Sequence, residues 1–133
     1  MVMFRALLHV VLALSSVKLC LAQPSLPVEY QDEDGASPFS RWFDKLEARA
    51  AAKVTTALVR MENGNLSNVK GLGGIFECKI DYGPGYRVYL GRDGEILILL
   101  LGGGIKKTQR QDIQIARQRW VDYKRRKKTG KGE

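Results

Sequence analysis

The sequence predicts an α+β domain of order β-α-α-β-β-β-α, with an antiparallel sheet packed against helices. Three observations carry this. Residues 39–61 repeat apolar side chains at helical spacing. Residues 76–101 alternate or run apolar between tight turns. A last segment from Lys106 returns to helical spacing with many cations.

Taken in order, "VEYQ" (Val28 to Gln31) predicts a short strand that "DEDGA" ends. Ser37 can cap a helix whose first position is Pro38. Phe39, Trp42, Phe43, Leu46 and Ala50 then fall on one helical face, which resumes at Val54, Leu58 and Met61. A break near Ala48 to Ala52 divides this stretch into two helices, and "ENGN" ends it with a glycine. "LSNVKGLGG" reads as loop. "IFECKID" places Phe76, Cys78 and Ile80 on one strand face and Glu77, Lys79 and Asp81 on the other. "YGPG" turns. "YRVYL" sets Tyr86, Val88 and Leu90 against Arg87 and Tyr89. "RDGE" supplies a hairpin turn. "ILILLL" (Ile96 to Leu101) is apolar throughout, as in a strand buried on both faces, and Gly102 to Gly104 should break the chain. Ile113, Ala116, Trp120 and Tyr123 mark the last helix. One sheet face is expected to pack on helices, the other to stay polar and open. Trp42 and Trp120 read as core.

The chain has 133 residues, enough for one domain, and a formal net charge of +8. From Lys106 to Glu133 there are 11 basic and 3 acidic residues, leaving 11 of each sign elsewhere. The excess charge therefore belongs to the C-terminal segment and points to a polyanion as partner. The two cysteines, Cys20 and Cys78, exclude a disulfide scaffold and a cysteine-rich zinc site. The single histidine, His9, excludes Ser-His-Asp, Cys-His and two-histidine ribonuclease chemistry. Residues 1–27 resemble a secretory signal peptide, with an apolar run Ala6 to Leu14 and a small residue at Ala22, or else a mis-annotated N-terminal extension. The apolar run is too short to span a bilayer. The domain is expected over residues 28–125, followed by a basic tail, 126–133.

The residue types that can carry chemistry collect around the first hairpin. Folding at Tyr82 to Gly85 would bring Lys79 against Arg87 and Tyr89. A guanidinium holds a phosphate bidentately, a lysine adds a point charge, and a tyrosine can stack on a base or pass a proton. Lys106, Lys107 and Thr108 follow the glycine triplet at a helix start, where free N–H groups suit an anion. Such a cation-bordered sheet is what a metal-independent ribonuclease requires. A 2′-hydroxyl attacks the neighbouring phosphate, cations stabilise the transition state, and Lys or Tyr replaces histidine in proton transfer. The bland alternative is a solvated charged face. "GGGIKKT" does not have phosphate-loop spacing.

"RWFDKL", "KGLGGIFECKIDYGPGYRVYL" and "LILLLGGGIKKTQRQDIQIA" resemble the addiction module killer proteins, of the RelE/ParE superfamily of type II toxins. The likeness covers about residues 28–125. It implies a RelE-like fold with a curved sheet, mRNA cleavage that inhibits translation, and growth arrest relieved by a cognate antitoxin. It also implies action in the bacterial cytoplasm, which conflicts with the signal-like N-terminus. The implied partners are the antitoxin, mRNA on the ribosome, and operator DNA for the toxin–antitoxin complex; no membrane, cofactor or metal is implied. By position, Arg87, Lys79, Tyr89 and Lys106 are the catalytic candidates, and Lys107, Thr108, Arg110 and Arg117 the RNA-binding ones. Gln109 and Asp112 follow in the family's register, whereas Ile105 replaces its aspartate. The alternatives are a ParE-like gyrase inhibitor, an inactive nucleic-acid- or antitoxin-binding module, or a secreted basic protein.

Overall fold

The computed structural model describes residues 26–94 and 97–130. Strand β1 (Leu26–Glu29) precedes helices α1 (Pro38–Asp44) and α2 (Ala48–Glu62). Four strands follow: β2 (Val69–Gly71), β3 (Phe76–Ile80), β4 (Tyr86–Asp93) and β5 (Leu97–Ile105). A 3₁₀ turn, Lys106–Thr108, leads into α3 (Gln109–Thr129). The fold is α+β, with a five-stranded mixed sheet of order β1-β5-β4-β3-β2. β1 runs parallel to β5, and every other pairing is antiparallel.

Local chemistry explains the helix ends. The Ser37 hydroxyl accepts from Ser40 N–H at 3.1 Å, with Pro38 behind it. The chain breaks at Lys45 to Glu47, just before the expected point, because the Glu47 carboxylate accepts from Ala50 N–H at 2.9 Å and starts α2. Ala48 to Ala52 are therefore the opening turn of α2. Gly64, at φ +90°, donates back to the Met61 carbonyl and ends it.

Several expectations need correction. β1 begins at Leu26, ahead of the boundary expected at residue 28. Val69–Gly71, read as loop, pairs with Phe76–Cys78 as an edge strand. Residues 126–129, assigned to a tail, continue α3. The glycine triplet does not break the chain; it lies inside β5 opposite Arg87, Val88 and Tyr89. The ladder slips there by one residue, with Tyr89 opposite Gly102 and Leu90 opposite Leu100. Glycine serves packing at these positions: a Cβ on Gly103 would overlap the Trp42 indole, and one on Gly104 would overlap the Asp112 carboxylate.

The largest correction concerns the sheet's second face. Helices cover both faces. On one side Phe39, Val54, Leu58 and Met61 meet Cys78, Ile80, Val88, Leu90, Ile98 and Leu100. On the other, Ile113, Ala116 and Trp120 of α3 pack on Ile75, Tyr89, Leu99 and Leu101. β5 is buried on both faces as its apolar run predicts, and the strand parity holds. The face expected to be open and polar is instead a second core. Trp42 and Trp120 pack one on each side. Among the described residues no helix is long and apolar enough to cross a membrane.

Polar clasps hold α3 down. Tyr30 donates to Asp122 at 2.6 Å, and Arg126 bonds both Asp122 and the Gln31 carbonyl. At the far end, Tyr123 and Lys127 converge on Asp93. Hydrogen bonds from Tyr30, then from Arg126 and Arg125, lower the Asp122 pKa to about 2.

Two outcomes follow. Gly103→Ala should destabilise the protein by about 1–3 kcal/mol in denaturant melts through overpacking against Trp42. Asp122 has a folded pKa below its unfolded value of about 3.9, so its contribution is complete above that value and fades as pH falls toward about 2. Asp122→Asn should therefore melt earlier than the parent at pH 7, with the gap closing between pH 4 and pH 2.

Candidate functional site

The β3–β4 hairpin creates the site's frame. Gly83 and Gly85 take φ of +55° and +80°, and Gly85 N–H donates to the Tyr82 carbonyl at 3.0 Å. This turn fixes the register: Lys79 stands opposite Arg87 and Glu77 opposite Tyr89. The expected convergence of Lys79 and Arg87 is present, and β5 adds Lys106. Arg87 Nη1 and the Lys106 Cβ lie 3.1 and 3.4 Å from the position of a Cβ on Gly85. Three cationic residues thus meet at one end of the sheet.

They differ in access. Lys79 and Lys106 are exposed, whereas Arg87 is only 5% exposed. Arg87 points to the face predicted from strand parity, but that face lies under α3. Its Nη1 donates to the Gly85 carbonyl at 2.8 Å, and its Nε lies 3.6 Å from Glu77 Oε2, too far for a hydrogen bond. Glu77, 4% exposed, accepts from Gln109 Nε2 at 2.6 Å. The pair is therefore an internal one, bridged to α3 by a glutamine.

Tyr89 is 1% exposed, and its hydroxyl makes no hydrogen bond. Burial, then the Glu77 and Asp112 carboxylates, raises its pKa above the usual phenol range. It stays a neutral phenol that neither substrate nor solvent reaches, so a role in stacking or proton transfer does not fit this arrangement. Cys78 is likewise buried, its thiol pushed up to about 11 by burial and the neighbouring Glu77 charge.

The RNA-binding candidates divide. Lys107, Thr108 and Arg110 are exposed around the start of α3. Thr108 spends its hydroxyl on Asp112 Oδ2 at 2.6 Å, which also brings an acid to that helix start. Arg117 is turned to structure: its Nη1 donates to the Gly73 carbonyl at 2.6 Å and its Nη2 to that of Leu72, tying α3 to the β2–β3 loop. It lies apart from the cluster at Gly85.

Glu77 and Gln109 are the working partners that sequence reasoning left without a role. Alternation placed Glu77 on Arg87's face, but an open face gave it no task. The apolar row of α3, which needs a surface to cover, was the signal available. Removing one member of a buried ion pair strands the other charge. Glu77→Ala should lower stability by about 3–5 kcal/mol in chemical denaturation. The double variant Glu77→Leu/Arg87→Met should lose less than the single one.

No protein-family model matches the chain. An uncharacterized protein of Haemophilus influenzae (strain ATCC 51907 / DSM 11121 / KW20 / Rd) is 44% identical over 81 residues, spanning 59% of this chain and 82% of that protein. With nearly the whole of that protein aligned at this identity, the chain belongs to the same family as the uncharacterized Haemophilus influenzae protein.

Proposed function

We propose that this chain is the toxin of a type II toxin–antitoxin module, with a RelE-like fold, and that it cleaves mRNA without a metal. The observation that carries the proposal is the meeting of Lys79, Arg87 and Lys106 at the glycine turn. The order β-α-α, an antiparallel run and a closing helix supports the fold reading. In this reading the exposed Lys79 and Lys106 take the scissile phosphate and its developing charge. Arg87 adds positive potential from behind while its side chain stays bonded to the hairpin. Lys106 is the group placed to move a proton, since Tyr89 is enclosed. Lys107 and Arg110 extend the cationic border along the incoming strand. The partners are a cognate antitoxin and mRNA on the ribosome, in the cytoplasm.

A second reading has its own observation. Burial of Arg87 and Tyr89 removes two of the four catalytic candidates from a substrate's reach. That favours a toxin acting by protein contact, such as a ParE-like gyrase inhibitor, or a binding module that does not cleave.

Induced expression should arrest growth and produce new mRNA 5′ ends by primer extension. Lys106→Ala, at an exposed position that leaves the core intact, should restore growth and lower cleavage by roughly 100-fold or more. Arrest with DNA damage and no new 5′ ends would select the gyrase reading, and no arrest would select the inactive module.

A further inference from the structure

Enclosure of Tyr89 leaves the base-stacking role without its candidate, yet the same hairpin carries two more tyrosines on the opposite face. Tyr82 and Tyr86 flank the glycine turn, are both partly exposed, and have ring centroids 6.4 Å apart with planes 19° from parallel. Their placement is set by backbone. Tyr82 N–H donates to the Ile80 carbonyl at 2.9 Å, and the turn closes through Gly85. Tyr86 is held edge-on by Trp42 at 6.3 Å, and Trp42 in turn rests on Phe39 in the core. The rings are therefore pre-positioned, so little ordering entropy is lost when a planar ligand stacks there.

Cations surround this pair. Lys53 Nζ lies 5.5 Å from the Tyr82 ring centroid. Lys79 precedes Ile80, which pairs with Tyr86, and Lys106 follows Ile105, Tyr86's other partner. All three lysines are exposed. The acids near the turn are Asp81, exposed beside Tyr82, and Glu47, which accepts from the Tyr82 hydroxyl at 3.4 Å while capping α2. Ordered aromatic faces among lysines are the chemistry that holds single-stranded nucleic acid: bases stack on rings and phosphates sit on cations.

We propose that the Tyr82–Tyr86 turn is a base-stacking subsite for single-stranded RNA. One base lies against the tyrosine pair, and the adjoining phosphates reach Lys53 on one side and Lys79 and Lys106 on the other. The subsite rests on the RNA-cleaving reading, because it delivers the neighbouring phosphate to the lysines assigned to cleavage there.

The test uses a fluorescein-labelled, 2′-O-methylated RNA 8-mer, which binds without being cleaved, and fluorescence anisotropy on the full chain. Tyr82→Leu should weaken binding roughly 10-fold or more, whereas Tyr82→Phe, which keeps the ring, should stay within about twofold of the parent. Melting curves on each variant report folding. A parent that binds with Tyr82→Leu unchanged overturns the subsite and leaves the RNA reading standing. A parent that does not bind at 50 mM salt overturns the RNA reading and the subsite with it. Photo-cross-linking of a 4-thiouridine RNA to the unsubstituted chain needs no variant. Cross-links at Tyr82 or Tyr86 support the subsite; cross-links confined to α3 overturn it.

Discussion

The structure depends on β5 being apolar on both faces. Ile98 and Leu100 point toward α1 and α2, and Leu99 and Leu101 toward α3. A strand of this kind is stable only when both sides are covered. Each leucine or isoleucine side chain so enclosed is worth roughly 1.5–3 kcal/mol relative to exposure. That requirement brings α3 onto the sheet, although α3 itself buries only Ala116 completely. Its remaining attachment is polar: Arg117 to the β2–β3 loop, Arg119 to the Leu101 carbonyl, and the Tyr30–Asp122–Arg126 cluster. Apolar demand from the sheet and polar clasps from the helix hold the same interface.

The glycine triplet makes the interface close enough to work. A bulged, side-chain-free stretch lets Trp42 lie on Gly103 from one side while Arg119 and Asp112 approach Gly102 and Gly104 from the other. The same closeness carries a cost at Arg87. Its partner in the ladder is Gly104, so no side chain of β5 screens it from α3, and its charge must be met internally. Glu77 and Gln109 do this, but imperfectly, because the guanidinium Nε is left without a hydrogen bond. Buried pairs of this geometry rarely contribute much net stability, since desolvation offsets their attraction. Their effect is to fix which residues meet: with Lys79 opposite Arg87, the register that completes the pair also assembles the cationic end of the sheet.

Much of this was legible in the sequence, for identifiable reasons. The helical row from Phe39 to Met61, the parity of β3 and β4, and the turn at Gly83 to Gly85 are local patterns, and each appears where local rules put it. Two things were not local. β2 has three residues and no alternation; it exists because β3 offers it a free edge. The covering of the second face follows only when two segments are read together, the doubly apolar β5 and the apolar row of α3. Taken singly, Glu77, Arg87 and Tyr89 alternate like a solvated face, and the helix reads as a basic arm. Taken together, one segment has a bare face and the other has the means to cover it.

That coupling also decides which side chains remain for chemistry. A face sealed by α3 cannot present Arg87 or Tyr89, however well their positions match a family pattern. What stays open is the end of the sheet, where strands stop and no helix lies across the hairpin tip. Lys79 and Lys106 are exposed there because they sit at the last rungs of β3 and just beyond β5. Tyr82 and Tyr86 are partly exposed because the glycines of the turn have no side chains to cover them. Function in this fold is therefore confined to the rim by the same packing that stabilises the centre. A cationic rim beside fixed aromatic rings suits an extended polyanion that threads past an edge better than a compact ligand that needs a pocket.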